Sequence, residues 1–64
     1  MSTCPNVNKY IELAGRWCRL MKENKKDDAD IILEKTQEIW DKLSEEDKMY
    51  ADEQTIRLRT WFGV

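Results

Sequence analysis

The side chains that could do chemistry here are two thiols, a set of carboxylates and a set of lysines and arginines, with no histidine among 64 residues. Without imidazole the commonest general base and the commonest metal ligand are both missing. Cys4 and Cys18 alone cannot complete a four-ligand zinc site. No basic stretch followed by an apolar run stands at the start of the chain, so the expected setting is the reducing cytoplasm. In that setting a Cys4–Cys18 disulfide is not expected, and Cys18 reads as a small core residue. Asp27, Asp28 and Asp30 begin like a calcium loop. Ile31 and Ile32 then stand where an oxygen ligand and the turn glycine belong, so the match fails. Glu34 and Glu38 fall on a solvated helix face where nothing would tune a carboxylate. There is no Ser-His or Cys-His pair, no glycine-rich phosphate loop and no His-Glu metal motif. The expectation is a protein that is not an enzyme and uses no cofactor or metal.

Charge is the more unusual feature. Residues 1–26 carry net +4, residues 27–55 net −8 and residues 56–64 net +2. The basic patch is Lys9, Arg16, Arg19, Lys22 and Lys26; the acidic one is Asp30, Glu34, Glu38 and Asp41. Two readings follow. A basic first helix can pair internally with an acidic second one, each rim pair contributing a few tenths of a kcal/mol. Alternatively, the opposed patches orient a partner. Nucleic acid is disfavoured as that partner. Glu45-Glu46-Asp47 would meet phosphate with negative charge, Leu43-Ser44 is shorter than a helix-turn-helix turn, and the pI is near 5.0. A small helix-turn-helix-like protein using the basic first helix is kept as the alternative. Membrane contact is not expected. The longest aliphatic run is Ile31-Ile32-Leu33, and the apolar residues of the first helix are needed by a core.

The elements that must position these residues are helical. With two glycines, one proline and a high charge content, the composition fits neither a turn-rich β fold nor a low-complexity chain. At ~100° per residue, Val7, Tyr10, Ile11, Ala14, Trp17, Cys18 and Met21 form one broad apolar stripe. Ala29, Ile32, Leu33, Thr36, Ile39, Trp40 and Leu43 form a second. Helices are expected over about 6–24, 28–43 and 45–62 in one domain spanning 1–64. Asn6 or Asn8 is the expected cap of the first, Asp27 or Asp28 of the second, and Ser44 of the third. Gly63 closes the last. Short polar links make this an all-α, small antiparallel three-helix bundle. The alternative is one helix running through Lys25–Asp28, a long-helix hairpin that dimerises into a four-helix bundle. The expected core is Tyr10, Ala14, Trp17, Cys18, Met21, Ile32, Leu33, Ile39, Trp40, Leu43, Leu58 and Trp61.

A domain of this size hides only ~60% of the surface its unfolded chain exposes, so a further source of stability is expected. The third helix supplies a candidate. Tyr50, Ala51, Leu58, Trp61 and Phe62 share a face that can close the bundle, while Met49 and Ile56, with Thr60 beside them, lie roughly opposite. Two apolar residues seven apart make a narrow seam suited to one more helix. Met49, Ile56, Thr60, Trp61 and Phe62 are therefore the expected partner-binding residues, in a homodimer or a hetero-complex. The function expected is a non-catalytic protein-interaction module: a small cytoplasmic adaptor, inhibitor or regulator presenting a helical surface.

Overall fold

The structure, a computed structural model, describes residues 5–64. It is an all-α three-helix bundle: α1 Pro5–Lys22, α2 Lys26–Trp40 and α3 Glu45–Phe62. Each boundary has a local cause. Asn24 takes the left-handed conformation, φ 62°. Lys25 N–H then donates to the Leu20 carbonyl at 2.9 Å and Asn24 N–H to the Met21 carbonyl at 3.2 Å. That pair of bonds is the Schellman closure, with asparagine where glycine is commoner. It breaks the path of a single long helix, so the long-helix hairpin is not realised.

Other ends differ from expectation. Asn6 and Asn8 lie inside α1, whose cap falls outside the described residues, as does Cys4. The N-cap of α2 is Lys25, with no side-chain hydrogen bond; Asp27 and Asp28 sit in the first turn, where the positive end of the helix dipole favours them. α2 stops at Trp40 rather than Leu43, because Lys42 and Leu43 turn back to bond the Ile39 and Trp40 carbonyls at 2.9 and 3.0 Å. Ser44 caps α3 as expected, its Oγ accepting from Asp47 N–H at 3.3 Å. Gly63, φ 77°, ends α3 with the same left-handed device as Asn24.

Chain direction is up-down-up. The start of α1 meets the start of α3, where Val7, Leu43 and Ala51 form a buried cluster. At the other end Lys22 Nζ donates to the Phe62 carbonyl at 2.9 Å. Hence α1 and α3 run parallel, and α2 runs back between them in sequence. α1 packs against both α2 and α3, whereas α2 and α3 scarcely touch.

Among the described residues the buried core is Val7, Ala14, Cys18, Ala29, Leu43 and Ala51, small side chains apart from Leu43, and Thr36 is the one buried polar residue. Thr36 satisfies its hydroxyl on the Leu33 carbonyl at 2.7 Å. Of the expected core residues, Ala14, Cys18 and Leu43 are buried, Tyr10, Trp17, Met21, Ile32, Ile39, Trp40 and Leu58 are half-buried, and two are exposed. Leu33 is 41% exposed, and Trp61, at 79%, is essentially outside. The cause lies in the packing. Leu33 borders the gap between α2 and α3. On α3 the inward stripe is the buried Ala51 with the half-buried Thr55, Leu58 and Phe62, spaced 4-3-4, rotated by roughly 50° from the expected face. Tyr50, also expected on that face, is exposed.

Gly15 lies within α1, and a methyl group there would meet nothing within 4 Å. Gly15→Ala is therefore expected to stabilise the protein by about 0.5–1 kcal/mol, through the reduced freedom of the unfolded chain. A thermal melt should show a midpoint several degrees higher; an unchanged or lower midpoint would mean that α1 bends at this position.

Candidate protein-interaction site

The residues expected to form one seam are divided by the structure. Met49 and Ile56 are exposed, at 73% and 56%, and share a line along α3 with Thr60. The Thr60 hydroxyl is turned to the Ile56 carbonyl at 2.9 Å. Phe62 is not on that line; it is half-buried on the inward stripe. Trp61 lies apart as well, packed edge-on against Phe62 with ring centroids 4.9 Å apart. Between Trp61 and the Met49–Ile56 line runs the exposed Arg57–Glu53 pair, 3.2 Å, one turn apart on α3. The five residues are thus two small surfaces and one core contact.

The charged patches are also rearranged. Lys9, Arg16 and Arg19 are exposed on α1, Lys22 is engaged by the end of α3, and Lys26 opens α2. No ion pair joins α1 to α2 among the described residues. The three pairs present are local: Arg16–Glu12, Lys25–Glu23 and Arg57–Glu53. The side of α2 beside α1 presents Lys35 and Lys42, which with Lys9 and Arg16 border a shallow outer cleft of about 600 Å³ that also holds Glu12 and Glu38. Asp41 borders a depression shared with Tyr10, Leu33 and Trp40 instead. Glu38 and Asp41 thus border different hollows, while Asp30, Glu34 and Glu38 follow one another at four-residue spacing on the exposed side of α2.

What sequence reasoning missed is a groove. Because α2 and α3 hardly meet, the stripe Tyr10–Ala14–Trp17 of α1 is left as a floor between them. Leu33 and Thr36 form one wall and Thr55 and Arg59 the other, around about 270 Å³. The hollow continues past Gln37, Trp40 and Asp41, sharing Tyr10, Leu33 and Thr36. Its aromatic groups are fixed in place. The Tyr10 and Trp40 rings lie 5.4 Å apart. Lys48 Nζ sits 5.8 Å from the Trp40 ring centroid, and the Arg59 guanidinium 5.9 Å from that of Trp17. Such contacts contribute ~0.5–1 kcal/mol each where water reaches them.

Two groups near the floor titrate abnormally. Burial raises the Tyr10 phenol above its usual range, opposed by the Thr55 hydroxyl and reinforced by the Asp52 charge. Burial likewise raises the Cys18 thiol, opposed by Arg59. Both shifts favour the neutral form, so neither group is activated as a nucleophile or base. The width of the α1 stripe calls for two neighbours, which α2 and α3 supply, so it gave no signal for the groove. Among the described residues no group of three or more Cys, Asp or Glu side chains is placed to hold a metal ion, and no helix is long and apolar enough to cross a membrane. Comparison of the chain with protein-family models, with curated proteins and with solved structures gave no match.

Proposed function

We propose that the protein is a non-catalytic interaction module that works by presenting a helical surface to a protein partner. One observation carries this reading. The buried apolar set is three alanines with one valine, one cysteine and one leucine, the large apolar residues of α1 are at most half-buried, and Ile31, Leu33, Met49, Tyr50, Ile56 and Trp61 are exposed. A domain that kept its large apolar residues for itself would show the reverse distribution. Exposed apolar residues of this number on so small a body favour a contact with another protein.

Affinity capture from the native host tests the reading when wild type is run beside Leu33→Glu and the double variant Met49→Lys, Ile56→Lys. A stoichiometric partner lost with one of these variants, at unchanged helicity, is the expected result. Capture indifferent to both variants would sink it. Sedimentation equilibrium on the same proteins identifies a second copy as the partner. The nucleic-acid alternative draws on the four cations of the α1–α2 cleft. A salt-sensitive shift of duplex DNA, abolished by Lys9→Glu with Arg16→Glu, would favour it.

A further inference from the structure

We propose that the groove between α2 and α3 is the vacant fourth corner of a four-helix bundle, filled by an amphipathic helix of a partner protein whose apolar stripe is flanked by lysine and arginine. This deepens the interaction-module reading and rests on it.

The geometry comes first. In a four-helix bundle each helix packs on two neighbours and faces the third across a diagonal. Here α1 packs on α2 and α3, which scarcely meet, as helices at diagonal corners do. The floor Tyr10–Ala14–Trp17 has spacings of four and three, the pattern by which a helix seats a neighbouring helix. From Tyr10 to Trp17 it rises ~10 Å, about two turns, so the occupant engages over two to three turns. Ala14, itself buried, is the low point of that floor between the two aromatic rings.

Charge then selects the occupant. Asp41 borders the groove, and Asp52 lies close enough to Tyr10 to act on its phenol. Asp30 stands one turn before Leu33, on the same flank of α2. None of the three is in an ion pair among the described residues. The two cations of the α3 wall, Lys48 and Arg59, are laid over Trp40 and Trp17. Both keep their charge there, so three carboxylates stand against two cations, and the negative excess lies on the α2 side, where cations flanking an apolar stripe complement it. A second copy does not offer that combination. Its exposed apolar line, Met49–Ile56, runs beside Glu45, Asp52 and Glu53, and the apolar stripe of its basic α1 is recessed between its own α2 and α3.

Two synthetic 18-residue peptides test this, sharing one leucine–alanine stripe and carrying lysine or glutamate along its flanks. Each is titrated into the full chain bearing Trp61→Phe, which removes the exposed indole and leaves emission from Trp17 and Trp40. The lysine peptide is expected to gain helicity, to shift that emission and to bind at least tenfold more tightly than the glutamate peptide. Leu33→Glu should weaken it more than tenfold. Asp41→Lys with Asp52→Lys, both at exposed positions, should invert the preference and serves if Leu33→Glu does not fold. Equal binding of the two peptides, binding of neither, or binding that survives both sets of substitutions overturns the proposal. So does a homodimer dissociated by Leu33→Glu, which would put a second copy in the groove. If the proposal fails while a captured partner still depends on Met49 and Ile56, the broader reading stands on another surface; if capture also fails, both fall.

Discussion

Replacing Trp40 by alanine is expected to remove about 3 kcal/mol of the protein's stability, whereas the same change at Trp61 is expected to remove almost none. Trp40 is half-buried at the junction of all three helices, against Tyr10 of α1 and beneath Lys48 of α3. Truncating a well-packed aromatic costs about 3–5 kcal/mol, and its partial exposure puts Trp40 at the low end. A 64-residue domain has roughly 3–10 kcal/mol in total. Trp61, 79% exposed, touches little beyond the edge of Phe62, and its loss should stay within about 0.5 kcal/mol. Urea unfolding followed by far-ultraviolet circular dichroism separates the two. Similar midpoints for both variants would mean that the aromatic framework around Tyr10 contributes nothing special.

A comparable loss is expected from Leu43→Ala, about 2–4 kcal/mol, although this side chain belongs to no helix. Leu43 is 6% exposed and closes the cluster with Val7 and Ala51. It also immediately precedes the capping Ser44, so its burial fixes the angle at which the chain enters α3. Removing the side chain opens a cavity and loosens that entry together. Ser44→Ala, which deletes only the cap, should cost about 1 kcal/mol. Thermal midpoints that ranked Ser44→Ala as the more damaging change would show that capping, rather than packing, holds the link between α2 and α3.

The legible parts of the fold were those where type and period agree. On α1 every residue of the buried set falls within the stripe read from spacing, because valine, alanine and cysteine mark the inward face without competition. Ser44 and Gly63 announced their caps by identity. α3 was harder, since its inward face uses Thr55, whose hydroxyl is satisfied by the Ala51 carbonyl at 2.8 Å and so behaves as an apolar residue would. Hydropathy does not see that bond. Trp61 misleads in the other direction, being strongly apolar by type yet placed on the flank. The groove was illegible for a different reason: spacing tells which face of a helix is buried but not whether two helices that flank it also meet each other.

That shared dependence on α1 has a consequence for how the sequence can change over time. A substitution on the inner face of α1 is felt by two interfaces at once, so few will be tolerated. Substitutions on α2 and α3 facing the groove act on separate contacts, and their effects should add rather than interact. Asp30, Gln37 and Asp52 can then drift singly, without a compensating change across the gap. The lining of the groove can diverge among descendants of this chain while the hub helix stays nearly fixed.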